Sequence, residues 1–126
     1  MIVFLLVFLG GGVGSAARHA VNLLAASFGA DVPWGTFAVN VIGSFIMGLA
    51  AGWFAFKTGT GGPQHMRVLV TTGFLGGFTT FSAFSLDAVS LWERGEFGLA
   101  AAYVAGSVVI SIAALFAGLW VVRSFA

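Results

Sequence analysis

The sequence predicts an all-α integral membrane protein: four transmembrane helices forming a single domain over residues 1–126. Three observations lead there. Of the 126 residues, 60% are hydrophobic and only 7% are charged, a balance far too apolar for a chain that meets water over its whole surface. Four apolar stretches have the length, about 20 residues, that crosses a bilayer core of about 30 Å. Finally, Trp34, Trp53, Trp92 and Trp120 each fall near the end of one of these stretches, where an indole keeps its ring in the apolar layer and its N–H near water.

The first span runs roughly from Ile2 to Leu24. Its opening, MIVFLLVFLGGGVGSAA, has the short apolar run and small residues of a signal peptide. However, its start carries no Lys or Arg and the apolar character continues past the small residues, so it reads as a retained span. Gly10 with Gly14, and Gly11 with Ser15, have the spacing that lets membrane helices approach closely. Arg18, at the polar end, either snorkels to the interface or pairs with an acid there.

The second span, Trp34 to Phe56, follows SFGADVP, which ends in Pro33. Here Thr36, Asn40, Ser44, Gly48 and Gly52 recur every fourth residue, forming a slowly drifting helical stripe with about 12 Å between Thr36 and Ser44. The Gly-rich connection KTGTGGPQH leads to the third span, Arg67 to Trp92, and the tight turn ERGE leads to the fourth, Phe97 to Val122. In the fourth, Tyr103, Ser107 and Ser111 repeat the four-residue spacing until Leu115 interrupts it. Polar side chains at such depth are costly unless they face protein interior or a water-filled path. Plain helix packing explains the serines equally well. Asn40 is different, because a mid-span amide needs several hydrogen-bond partners and points to a pathway.

The third span carries GFLGGFTTFSAFS, and the midpoint between Arg67 and Trp92 falls at Thr79 and Thr80. Gly73, Gly76 and Gly77 each weaken a helix by about 1 kcal/mol relative to Ala, and adjacent β-branched threonines add a smaller penalty. A break in the helix is therefore expected at mid-membrane, the alternative being a continuous helix in which Gly73 and Gly77 form a GxxxG packing face. Unwound backbone at that depth must be buried in protein or line a cavity, and its freed carbonyls suit a small hard cation. Beyond the threonines, Phe81 and Phe84 share a face, as do Ser82 and Ser85. On periodicity alone the two rings are packing or lipid-facing residues. Their electropositive edges also suit an anion where an amide or hydroxyl donates beside them.

Several function classes are excluded or disfavoured. The chain has no cysteine, and His19 and His65 stand isolated, so disulfides, thiolate metal sites and redox chemistry have no foothold. A net charge of +1 provides no nucleic-acid footprint. No nucleophile with its base, metal cluster or phosphate loop suggests an enzyme.

GFLGGFTTFSAFS, together with GTFAVNVIGSF around Asn40, GGVGSAARH and YVAGSVVIS, resembles the CrcB/Fluc family of fluoride channels over essentially the whole chain. The most specific part is the Gly-Gly-x-Thr-Thr-Phe-Ser-x-Phe-Ser core. The resemblance implies an antiparallel, dual-topology homodimer in the cell membrane that exports fluoride passively through two pathways. It implies a structural sodium ion at the break in the third helix, held by backbone carbonyls of Gly76 and Thr79 from both subunits. It also implies an ion pathway of Asn40, Phe81, Phe84, Tyr103, Ser107 and Ser111. Arg18, Thr36, Thr80, Ser82 and Asp87 stand as supporting candidates. Three positions depart from the family pattern: Asp87 stands where many relatives carry Glu, Ala83 where Thr is common, and Leu115 where the hydroxyl track continues in some members.

Two rival readings come from other classes. A small proton-coupled multidrug exporter also uses four spans, but it needs a titratable carboxylate deep in the membrane. The first two spans contain no Asp or Glu, and Asp87 lies toward the end of the third. A non-transporting assembly subunit would use the glycine-rich faces for docking and the polar ladders as glue.

The charges lead independently to an unusual topology. Four spans place both termini and the second loop on one side, giving Lys57, Arg67 and Arg123 there against Arg18 and Arg94 on the other. So small a difference does not fix one orientation under the positive-inside rule, and the chain is expected to insert both ways and pair antiparallel. Adding several Lys residues to one loop is therefore expected to impair function when that chain is expressed alone. Normal function of such a biased chain would overturn the dual topology.

Overall fold

The computed structural model describes residues 1–28, 32–56 and 64–125. The second loop through Pro63, with the predicted charge of Lys57, lies outside the described residues, as do residues 29–31 of the first. The elements in chain order are α1 (Ile2–Ala26), α2 (Trp34–Phe56), α3 (Gln64–Val68), a π-helical segment (Leu69–Leu75), α4 (Gly76–Phe78), α5 (Ser82–Glu93) and α6 (Phe97–Ser124). Taken with α3 to α5 as one span, four helical stretches are long and apolar enough to cross a membrane. Most run slightly past the apolar stretches read from the sequence, because helical hydrogen bonding continues into the interfacial layer until a stop residue intervenes.

One stop residue is Gly95, whose φ of 81° lies in the left-handed region that favours glycine. There the Gly95 N–H donates to the Trp92 carbonyl and the Glu96 N–H to the Leu91 carbonyl, each at 3.0 Å, which is the Schellman pattern that closes a helix. An Arg94–Glu96 ion pair at 3.1 Å and the Trp92 and Phe97 rings, 4.4 Å apart, pin the turn from either side.

The helices pack as two parallel pairs, and glycine makes both contacts possible. α1 lies along the π-helical segment and α4. A Cβ on Gly10 would come within 2.8 Å of the Leu69 carbonyl oxygen, one on Gly14 would overlap the Phe74 carbonyl, and one on Gly77 would overlap the backbone of Gly11. The π-helical segment was not anticipated. Its wider turn brings the Leu69 carbonyl and the Phe74 N–H against Gly10, an arrangement that depends on α1 and leaves no periodic mark in the segment's own sequence.

In the second pair, Gly48 of α2 meets Leu115 and Gly118 of α6, Gly118 meets Phe45 and Leu49, and Gly52 meets Val122. Contacts that ascend together on both helices fix them as parallel. At the far end the Arg123 guanidinium sits 5.2 Å from the centre of the Phe56 ring, a cation–π contact between the helix ends. At the other end of the bundle Phe84, Leu91, Ala100 and Tyr103 form a buried cluster, packed by Phe37, Ala88 and Leu99. This cluster fastens α5 to α6 and both to the start of α2.

Close backbone approach without a hydrophobic driving force is what small residues supply between membrane helices. Gly48→Ala, whose methyl group overlaps the Leu115 carbonyl, is expected to destabilise the protein by roughly 1–3 kcal/mol. Gly106→Ala, with nothing within 4 Å of its new methyl group, is expected to be neutral or to stabilise by up to about 1 kcal/mol. Thermal melts in detergent followed by size exclusion check this, and a Gly48→Ala protein that melts like wild type would show that the helices have room to spare.

Candidate ion-binding cavity

Backbone geometry within the third span sets the site. Helical dihedrals end at Phe78, Thr79 is extended with φ −82° and ψ 158°, and α5 begins at Ser82. In an uninterrupted α-helix each carbonyl accepts from the N–H four residues on, and here that pairing fails for several groups. The Thr80 N–H donates instead to Asn40 Oδ1 at 2.8 Å, and Asn40 Nδ2 donates to the Thr80 carbonyl at 2.9 Å. The side-chain amide of α2 thus replaces a peptide group. Each bond is worth about 1 kcal/mol net, but an unmade one would leave a buried group costing about 1–3 kcal/mol.

Other side chains complete the accounting. The Gly77 carbonyl, whose helical partner would be the Phe81 N–H, accepts from Arg18 Nε at 3.1 Å and from the Ser15 hydroxyl at 3.5 Å. The Thr79 hydroxyl and N–H both donate to the Leu75 carbonyl, at 2.9 and 3.0 Å. The Thr80 hydroxyl accepts from the Ala83 N–H at 3.2 Å, as an N-cap does, and lies 3.4 Å from the Ser82 hydroxyl. Arg18 therefore bonds to a backbone carbonyl beside the non-helical residues. It was expected at the interface or beside an acid; the carbonyl wins because its own helical partner has moved away.

Beside these residues lies a cavity of about 350 Å³. Asn40, Ser44 and Met47 line it from α2, Thr79 to Phe81 and Phe84 from the third span, and Ser107, Ser111 and Leu115 from α6. The Phe81 and Phe84 rings are 5.5 Å apart, with Phe84 buried and Phe81 76% exposed on the outer face of this chain. The hydroxyl oxygens of Ser107 and Ser111 are buried without a hydrogen-bond partner, and Ser107 is only 4% exposed. Buried hydroxyls are normally paired, so two orphans on the wall of one cavity mark donors that something else completes.

Tyr103 stands next to the cavity rather than on its wall. Its ring packs 5.3 Å from that of Phe84, its hydroxyl donates to Asp87 Oδ2 at 3.2 Å, and the Thr36 side chain lies beside that hydroxyl. Of the sequence-predicted residues, the cavity gathers Asn40, Phe81, Phe84, Ser107 and Ser111 with Thr79 and Thr80. Gly76 is exposed and does not line it, and a side chain there would meet only the Thr71 carbonyl oxygen, at 3.7 Å. Ser44 is marked by the four-residue stripe but was not singled out as a site residue. Met47, Val108 and Ile112, which also line the cavity, carry no signal that distinguishes them from lipid-facing residues. None of the lining residues is charged, so the cavity offers weak multiple donors, the character of a conduction path.

Four apolar helices, three of them lining a largely apolar cavity that carries a few uncharged polar groups, define a multi-pass membrane protein of the channel or transporter class. The chain matches the CrcB-like protein, Camphor Resistance (CrcB) family over residues 5–119, and it belongs to that family. It is 57% identical over 121 residues to the fluoride-specific ion channel FluC 2 of Nitrobacter hamburgensis, covering 95% of this chain and 96% of the relative. It is 57% identical over 122 residues to the fluoride-specific ion channel FluC of Rhodopseudomonas palustris, covering 96% and 97%. To the fluoride-specific ion channel FluC of Methylobacterium nodulans it is 54% identical over 125 residues, covering 99% of each.

Proposed function

We propose that the chain is a fluoride-selective channel that lets fluoride leave the cell passively through the cell membrane. The observation that carries this reading is the pair of orphan hydroxyls, Ser107 and Ser111, on the wall of an uncharged cavity that also holds Asn40 and the Phe81 and Phe84 rings. Fluoride is small and strongly hydrated, so a path must replace its water with short-range donors and still release it. Serine hydroxyls, which rotate to offer a proton, and electropositive ring edges do this without the grip of a fixed charge. A proton-coupled exporter needs a carboxylate in the path; Asp87 is instead occupied by the Tyr103 hydroxyl. Fluoride-specific channels among the relatives, matched over nearly their whole length, support the same reading.

The functional unit in this proposal is an antiparallel homodimer with two pathways. Gly76 and Phe81 present non-helical or glycine-thinned backbone on the outer face of one chain, where lipid cannot satisfy it, and a second copy crossing at the same depth would cover it. A structural sodium ion fits the same residues. With the Thr80 N–H committed to Asn40, the Gly76 carbonyl has lost its helical partner, and the extended Thr79 turns its own carbonyl out of the helical direction. Carbonyl oxygens are the ligands a hard cation takes; when bound, the ion would supply the positive charge that lets such dipoles from two subunits meet.

Liposomes containing only the purified protein are expected to release fluoride quickly, with no chloride release and no proton requirement; absence of flux would overturn the reading. Phe81→Ile and Asn40→Asp are expected to lower flux by roughly tenfold or more, equivalent to about 1.4 kcal/mol of ion stabilisation, while the dimer still elutes intact. Unchanged transport would remove those residues from the pathway. Preparing the protein with sodium replaced by a large organic cation is expected to weaken both dimer elution and flux. A dimer and flux indifferent to sodium would remove the ion from the structure.

A further inference from the structure

The hydroxyls of Ser107 and Ser111 lie on α6, but the cavity has a facing wall on α2. The parallel packing of the two helices brings corresponding stretches of them together. Near one end Thr36 lies beside Tyr103, and further along Gly48 lies against Leu115. Both contacts run in the same direction along the two helices. Both helices are continuous over this interval, and each advances about 6 Å every four residues. Between these contacts the polar rungs are Asn40 and Ser44 on α2 and Ser107 and Ser111 on α6, and all four side chains line the same cavity.

The two α2 rungs differ in what they have left to offer. Asn40 is committed in both directions to the Thr80 backbone. Ser44 makes no hydrogen bond among the described residues, and the Ser111 hydroxyl of the same cavity's α6 wall is buried and unpartnered. Beyond this rung the walls turn apolar, with Met47 on α2 and Leu115 on α6. We infer that Ser44 is a further ion-contacting residue, its hydroxyl and that of Ser111 bracketing the permeating fluoride from opposite helices at the last polar rung before an apolar collar. The inference rests on the fluoride-channel reading and sharpens it: the donor ladder is two-sided at this level, where two rotatable hydroxyls compensate for the dehydration imposed by Met47 and Leu115.

The test is fluoride efflux from liposomes with Ser44→Ala, Ser44→Thr, Ser111→Ala and the Ser44→Ala/Ser111→Ala double variant. Wild-type protein that conducts no fluoride overturns the channel reading itself. With wild-type flux established, Ser44→Ala is expected to conduct roughly tenfold more slowly, as loss of a hydrogen bond to a charged group implies, with unchanged dimer elution. Ser44→Thr, which keeps the hydroxyl, is expected to recover most of the flux. The double variant is expected to lose less than the product of the single losses, because both hydroxyls serve one ion. Ser44→Ala flux within twofold of wild type overturns the inference. So do equal losses in Ser44→Ala and Ser44→Thr, altered elution of Ser44→Ala, or strictly multiplicative losses in the double variant, since each assigns Ser44 to packing or to an independent role.

Discussion

A backbone carbonyl or N–H at the centre of a bilayer has no water to turn to, and satisfying a few such groups organises much of this molecule. Where the third span leaves helical geometry at Thr79, the peptide groups around it must find partners on other helices. α2 supplies the Asn40 carboxamide, which pairs with both polar groups of Thr80. α1 supplies Arg18 and Ser15, both directed at the Gly77 carbonyl. The non-helical residues are therefore tied to two other spans, and the cost of exposing them in lipid, several kcal/mol per group, becomes a cross-link between helices. Removing Asn40 would leave both Thr80 backbone groups without it, and removing Arg18 would leave the Gly77 carbonyl only the longer bond from Ser15, so these polar residues hold architecture as well as chemistry.

The same constraint shapes the cavity. Glycine contacts draw α1 onto the third span and α2 onto α6 until backbones touch, which leaves little space between the members of each pair. Space remains where the pairs meet beside the non-helical residues. There Phe81 and Phe84, rather than another helix backbone, form part of the wall. On this gap the Ser107 and Ser111 hydroxyls are buried without a partner from the chain itself. The polar ladder and the glycine ladder on α2 are thus one four-residue stripe with two functions: its first half faces a gap and carries polar groups, and its second half meets α6 and carries only hydrogens.

That stripe explains what sequence reasoning reached and what it missed. The four spans follow from length and hydropathy, which the bilayer imposes directly on composition. Asn40 follows from the cost of an amide at depth, and Gly10, Gly14 and Gly48 from the spacing of small residues, whereas helix packing explained Ser107 and Ser111 equally well and their pathway role came only from the family resemblance. The partner of Arg18 did not follow, because it is a carbonyl on another helix and carbonyls carry no residue identity. The π-helical segment is equally silent, since its register is set by α1 lying across it. Met47, Val108 and Ile112 became cavity residues only once helix orientation was known; an apolar residue facing a gap and one facing lipid obey the same composition rule.

The placement of charge makes a last point about conduction. Arg18 is a full positive charge near mid-membrane and would be the strongest anion trap in the molecule if it faced the cavity. It does not line it; its guanidinium is turned to the Gly77 carbonyl on the α1 side of the third span, with the non-helical residues between it and the serines. In the proposed channel this arrangement gives an anion a favourable background potential without a direct contact, since Coulomb attraction persists over many ångströms in a low-dielectric medium whereas a hydrogen bond does not. The contacts themselves are left to hydroxyls and ring edges, each weak and rotatable. An ion held by several weak partners loses one as it gains the next, so the path favours entry through its field and permits exit through its contacts.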